Sequence, residues 1–423
     1  MKPKYFGGLD FGTSGARISI INCHKKLIHS DVSVYKYGFK DPKSWVISCA
    51  KLLKDTPEYI KQDLSKISIS GTSGTLLACS YKGKEIGDSI PYNQICKVDK
   101  ENLYTISGNI DSLKSPYSGL SKALELISIH GEHILLRHQS DWITGFLLNN
   151  WEFGEEGNNV KLGWNITKGC WPKSYSSLSW KKSLPFIVKS GKILGKVDES
   201  IANTLNLSRE LLIISGTTDS NASYIAAEVD TDEGLTVLGS TIVLKKFTKK
   251  PIYITGVTNH KIKGDWIIGG SSNAGCRILS KFFSNSDIEE LSRQINPNKK
   301  TNLNYLPLNS KGERFPINDP ELEPILMPRP VSDSLYLHAL LEGLAKIELK
   351  GWEKLKELTG TLPSKIVTIG GGAKNPQWRY IRQKIIRIPI ITSKKTTSYG
   401  TALLALNSDE IIADQDSYLN LVN

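Results

Sequence analysis

Twice in this chain an apolar strand runs into a turn of small residues and out into a second apolar strand. In the N-terminal half, Tyr5 to Phe11 leads through Gly12-Thr13-Ser14-Gly15 into Arg17 to Asn22. In the C-terminal half, Leu235 to Leu238 leads through Gly239-Ser240-Thr241 into Ile242 to Phe247. The first copy is followed by a strand at Asp31 to Tyr37, a helix at Pro42 to Leu53 with Trp45, Val46, Cys49, Leu52 and Leu53 on one face, and a strand at Lys66 to Ser70 that opens into Gly71-Thr72-Ser73-Gly74. Leu120 to Ile129 and Ile134 to Leu148 have helical patterns, while Trp151 to Ser190 reads as irregular surface or binding loops. A second block begins with an apolar strand, Leu211 to Ser215, entering Gly216-Thr217-Thr218-Asp219 and a helix through Ala227. It continues past the second turn with a strand at Trp266 to Ile268 before Gly269-Gly270. A long helix follows at Leu335 to Leu355, striped by Leu337, Leu340, Leu341, Leu344 and Ile347, and then a strand at Ile366 to Ile369 that enters Gly370-Gly371-Gly372-Ala373. A repeat on a scale of about two hundred residues indicates a duplicated domain rather than a solenoid. The expectation is an α/β chain of two similar lobes, 1–210 and 211–423, with the boundary near Asn206 to Leu212 and a ligand-sized cleft between them.

Composition narrows the class. With 39% hydrophobic and 23% charged residues the chain is an ordinary globular one. Its N-terminus lacks the apolar core of a signal peptide and no stretch is apolar enough to span a bilayer, so a cytoplasmic protein without membrane contact is expected. Cys23, Cys49, Cys79, Cys96, Cys170 and Cys276 are widely spaced, which suits reduced thiols rather than a disulfide framework or a zinc site. His130, His133 and His138 cluster, but without the spacing of metal-binding helices; solvated helix ends are the plainer reading. The formal charge of +12 is spread along the whole chain and not interleaved with aromatics, which argues against a nucleic-acid partner and fits a basic surface that favours anionic nucleotides.

The chemistry sits at the turns. Gly12-Thr13-Ser14-Gly15 exposes backbone N–H groups and hydroxyls with no bulky side chain in front, as a phosphate cradle requires; a plain hairpin is the alternative for this turn alone. Gly239-Ser240-Thr241 repeats the device. Asp10 ends the strand before the first turn, where a carboxylate beside a phosphate needs an intervening cation such as Mg²⁺; an Asp capping its own turn is the alternative. Asp219 follows a buried strand at the start of a helix, in the position of a base that takes a proton from a substrate hydroxyl, although a helix N-cap also favours Asp. Gly370-Gly371-Gly372-Ala373, followed by Lys374 and Asn375, would let backbone lie against a planar base. Asp10-Phe11-Gly12 matches the magnesium-binding triplet of protein kinases, but nothing upstream supplies the rest of that machinery. No Gly-x-x-x-x-Gly-Lys-Ser/Thr stretch exists, which excludes a P-loop enzyme.

Six landmarks in order resemble one family. Gly8-Leu9-Asp10-Phe11-Gly12-Thr13-Ser14 looks like the opening of the FGGY carbohydrate kinases, within the actin-like and ribonuclease-H-like ATPase superfamily. Gly216-Thr217-Thr218-Asp219-Ser220-Asn221-Ala222 resembles the segment bearing their catalytic aspartate, and Leu238-Gly239-Ser240-Thr241 their second phosphate turn. Glu342-Gly343-Leu344-Ala345, Gly370-Gly371-Gly372-Ala373 and Tyr399-Gly400-Thr401-Ala402-Leu403-Leu404-Ala405 resemble the later ones. The resemblance implies two ribonuclease-H-like domains with mixed sheets flanked by helices, a sugar-binding N-terminal lobe and an ATP-binding C-terminal lobe. It implies that Asp219 is the general base, that Asp10 and Asp219 contact metal and sugar, and that Ser14, Gly15, Ala16, Arg17 and Ser73 face the sugar. Gly12, Thr13, Gly239, Ser240, Thr241, Gly269, Gly270, Gly371, Gly372, Ala373, Lys374 and Asn375 are carried over to the nucleotide.

The implied cofactors are ATP and Mg²⁺, the implied partners a small sugar and ATP, and the implied state a monomer or homodimer. Xylulose kinases usually carry a Met-His pair where this chain has Thr72-Ser73-Gly74, and the family's middle Lys and Trp landmark is not clear here; both favour D-ribulose over xylulose as acceptor. An actin-like ATPase would share both turns but would not respond to sugar, and a silent sugar sensor would not need both aspartates.

Overall fold

The computed structural model describes residues 4–262 and 264–411. These form two compact units: residues up to Ala226 together with those from Lys395 onward, and Ala227–Lys394.

The first unit is built on a seven-stranded mixed sheet. Its strands are β1 (Tyr5–Phe11), β2 (Gly15–Asn22), β3 (Leu27–Val34), β4 (Leu64–Gly71), β5 (Lys192–Lys196), β6 (Leu212–Thr218) and, last in sequence, Asp409–Ile411. β2 pairs antiparallel with both β1 and β3, while β4 lies parallel between β1 and β6. Alternation fixes the faces: Leu9, Phe11, Ile18, Ile20, Ile67 and Ile69 are buried against α1 (Pro42–Asp55), which Asp41 caps from its side chain and Pro42 starts. The C-terminal helix of this unit, Thr397–Leu406, lies against the opposite side of β1. It approaches so closely that a Cβ on Gly8 would meet Ala402 N at 2.1 Å and Ser398 O at 2.2 Å.

The second unit has a six-stranded sheet comprising β7 (Gly234–Leu238), β8 (Ile242–Thr248), β9 (Val257–Ile262), β10 (Asp265–Ser271), β11 (Ile366–Ile369) and β12 (Ile390–Thr392). The order β10-β8-β7-β11-β12 copies β3-β2-β1-β4-β6 of the first unit, with two antiparallel pairings and then parallel ones. The helix Asp333–Thr359 buries its leucine stripe, Leu337, Leu340, Leu341, Leu344 and Ile347, in this unit's core. A buried ion pair ties the layers together: Arg382 Nε and Nη2 donate to Glu348 at 2.6 and 2.7 Å, and Thr236 of β7 donates to the same carboxylate at 2.6 Å.

The duplicated α/β architecture with mixed sheets is as expected, but the boundary differs. The strand read as the start of a second lobe, β6, pairs with β4 and completes the first sheet, so the division falls after Ala226 instead of between 210 and 211. The segment from Lys395 likewise returns to the first unit, because its helix finds its apolar partners at Phe6, Ile21 and Ile214. Leu135–His138, expected to be helical, is a strand paired with Leu76–Cys79; the helix starts at Gln139.

Candidate active site

The site in the first unit is a product of register. Asp10 of β1 lies opposite Ser70 of β4, and Ser70 lies opposite Thr217 of β6. Three parallel strands thus end level, and at about 4.8 Å per strand the β1 and β6 ends stand about 10 Å apart. β1 finishes at Asp10-Phe11 and enters the small turn; β6 finishes at Thr217-Thr218 and enters the helix Asp219–Ala226. The two acidic residues therefore share the carboxyl end of one sheet.

Asp10 is 4% exposed and accepts a hydrogen bond from Ser70 Oγ at 3.0 Å. Burial and then the charge of Asp219 push its pKa up to about 7, against the pull of Ser70 and Arg17. Asp219 is half-buried and accepts from the Ser220 amide at 2.7 Å. Two carboxylates that repel each other at a strand end are a fitting seat for a divalent cation, which would relieve the strain burial places on Asp10.

The small turn closes through the Gly12 amide on Gly15 O at 3.0 Å, and Tyr35 Oη donates to Gly12 O at 2.9 Å. Thr13 and Ser14 are exposed on it, as is Arg17. Ala16 is fully buried among core residues, so only its backbone is left for a ligand. The β4 turn is held by Gln139, whose Oε1 accepts from the Thr72 amide and hydroxyl at 2.9 and 2.8 Å; Ser73 is partly exposed beyond it.

Beneath Asp219 lies a buried polar layer that sequence reasoning passed over as loop. Glu155 accepts from Asn158 N at 2.8 Å and from Ser190 Oγ at 2.6 Å, and Asn159 Nδ2 donates to Asp141 at 3.1 Å. Burial, reinforced by Glu155, raises the pKa of Asp141 to about 8. Ser190 Oγ also donates to Thr217 Oγ1 at 3.5 Å, joining this layer to the strand that leads into Asp219. The paired carboxamides and carboxylates at 155–159 were the available signal.

The second unit holds a cavity of about 780 Å³, in the size range of small-ligand sites. Its lining includes Gly239, Ser240, Cys276, Gly371, Gly372, Lys374 and Asn375. Gly370, at φ +97°, turns the chain under it: a Cβ there would meet Leu238 O at 2.5 Å. Gly371 faces open space. Asn375 caps the helix Pro376–Ile386 by accepting from Trp378 N at 3.0 Å, and its Nδ2 donates to Ser292 at 2.8 Å, so much of its hydrogen-bonding capacity holds the wall itself.

Thr241 and Ala373 are not among the lining residues, and neither are Gly269 and Gly270. These two glycines occupy mid-strand positions on β10, where a Cβ would meet Leu244 O at 2.2 Å and the Phe315 ring at 2.2 Å respectively. Close packing explains them. No helix among the described residues is long and apolar enough to cross a membrane.

Residues 235–408 match the C-terminal domain of the FGGY family of carbohydrate kinases. A xylulose kinase of Staphylococcus xylosus is 22% identical, over 96% of this chain and 91% of its own length. The solved structure of a ligand-bound xylulose kinase from Lactobacillus acidophilus superposes with a TM-score of 0.78 at 18% identity, covering 99% of this chain and 96% of that one. Plasmodium falciparum glycerol kinase with ADP gives 0.79 at 18% identity, over 99% and 92%. Residues 235–408 thus match an FGGY carbohydrate kinase C-terminal domain, and the chain as a whole has the two-unit α/β fold of the solved sugar kinases it superposes on.

Proposed function

We propose that this protein is an ATP-dependent carbohydrate kinase that phosphorylates a hydroxyl of a ketopentose. The observation that carries the reading is the pair of carboxylates, Asp10 and Asp219, at the level ends of parallel strands in one unit, with a glycine-lined cavity of nucleotide size in the other.

Asp219 is the general base. It sits half-buried directly after a buried strand and takes the proton from the acceptor hydroxyl as that oxygen attacks the γ-phosphorus of ATP. Asp10, with Asp219, would hold Mg²⁺, and the ion would supply charge neutralisation at the nucleotide phosphates. Ser14, Arg17 and Ser73, all with some exposure around these carboxylates, orient the sugar. The turns at Thr13 and Ser240 present small exposed residues to phosphate oxygens. Gly371, Gly372 and Lys374 line the cavity for the nucleoside.

As acceptor, the Thr72-Ser73-Gly74 turn favours D-ribulose, giving D-ribulose 5-phosphate and ADP, whereas relatives matching most of the chain are named xylulose kinases. A cytoplasmic location belongs to the same proposal. A coupled ADP-release screen over D-ribulose, D-xylulose, L-ribulose, aldoses and polyols tests the reading. Acceptor-stimulated ADP release supports it. ATP turnover indifferent to every sugar would point instead to an actin-like ATPase.

A further inference from the structure

Lys161 belongs to none of the motifs above, yet its position is closely defined. It lies in a single helical turn, Val160–Leu162, directly after the buried Asn158 and Asn159. Its backbone is clamped on the start of the helix Gly119–His130: a Cβ on Gly119 would meet Lys161 O at 2.4 Å. Its stem runs over the β4 turn. A Cβ on Gly74 would stand 3.7 Å from Lys161 Cγ and 3.7 Å from Tyr92 Cβ, so both side chains flank that glycine. Lys161 is an exposed residue, although neighbouring protein limits the hydration of its ammonium. Crowding opposes its charge, and the nearby Asp219 carboxylate favours it. Among the described residues Lys161 has no hydrogen-bond or ion-pair partner.

A cation whose stem lies against the substrate turn, within the field of the proposed base and without a hydrogen-bonded protein partner, is placed to meet a ligand. Its ammonium has three donors and no acceptor, so the matching ligand atom is an oxygen that accepts. A polyol hydroxyl must divert its own proton to serve; a ketose carbonyl or a sugar-acid carboxylate need not. Resting on the kinase reading, we infer that Lys161 is a specificity-determining residue. With the exposed Tyr92 beside it, it selects acceptors that carry an acceptor-only oxygen, a carbonyl or carboxylate, near the phosphorylated hydroxyl.

The test is steady-state kinetics of full-length Lys161→Met and Lys161→Arg with ketopentoses, the matching pentitols and the matching aldonates. Lys161→Met should raise KM about tenfold or more for whichever carbonyl or carboxylate acceptor the wild type uses. The pentitol KM, the ATP KM and kcat should change by less than about threefold, and Lys161→Arg should recover most of the loss. Ketose against aldonate in the wild type tells carbonyl from carboxylate. An unchanged KM in Lys161→Met, or equal losses for ketose and pentitol, overturns the inference while leaving the kinase intact. A wild type that no acceptor stimulates overturns the kinase reading, and this inference with it.

Discussion

The two units share a strand order but treat buried charge in opposite ways. In the second unit the buried Glu348 is met by the bidentate Arg382, by Thr236 and by the Trp352 indole, and the pair joins β7 to two helices. In the first unit, among the described residues, the buried Asp10 has only the Ser70 hydroxyl at hydrogen-bond distance, and faces a second carboxylate across the sheet end. At the position of Asp10, two residues before the turn glycine, the second unit carries Val237. One architecture thus yields a settled ion pair in the core of one unit and an unsettled pair of acids at the sheet end of the other. Removing one partner of a satisfied buried pair strands a charge and destabilises, whereas uncompensated acids with raised pKa values tend to cluster at functional sites.

The comparison can be broken most sharply at Asp219. Asp219→Asn removes the base and leaves the second unit untouched, so kcat should fall about a thousandfold while ADP affinity, measured by calorimetry, stays within about twofold. Arg382→Met strands Glu348 in the core and should cost about 3–5 kcal/mol of stability in denaturant titration, the reverse of what removing a charge does in the first unit. Gly371→Leu fills open space in the cavity without a backbone clash, and should raise the KM for ATP about tenfold with little change in acceptor affinity.

The smallest change expected in stability is also the most diagnostic. Asp10→Asn should destroy activity yet raise the unfolding temperature by a few degrees at alkaline pH. The sign follows from the raised pKa. Folding disfavours the Asp10 carboxylate, so wild-type stability is eroded as pH rises from the model-compound value of 3.8 through about 7, and stays eroded above it. The stabilisation by Asn should therefore shrink as pH falls below about 7 and vanish below 3.8.

Much of this contrast is legible in the sequence. Asp10 and Asp219 stand out because each ends an apolar run beside small residues, and the register of β1, β4 and β6 brings them to one edge. The boundary is not legible in the same way. An apolar strand entering Gly-Thr-Thr-Asp has the same local pattern whether it opens a lobe or closes one, and only pairing with β4 decides. Leu135–His138 deceived for a similar reason, since a short apolar run in front of a helix has no period of its own. Gly269 and Gly270 looked like ligand glycines but make space for Phe315 and the β8 backbone, a tertiary demand no local pattern announces. Lys161 was hidden by its setting: polar residues in an irregular stretch give no signal until the Gly119 and Gly74 contacts place them.

The central claim is that Asp219 takes a proton from a hydroxyl of a bound ketopentose. A crystal structure with ADP, Mg²⁺ and the preferred ketopentose tests it most directly. The account predicts a sugar hydroxyl within about 2.6–3.2 Å of an Asp219 carboxylate oxygen, with Asp10 beside the metal. A sugar bound away from Asp219, with that carboxylate turned from every hydroxyl, would contradict it.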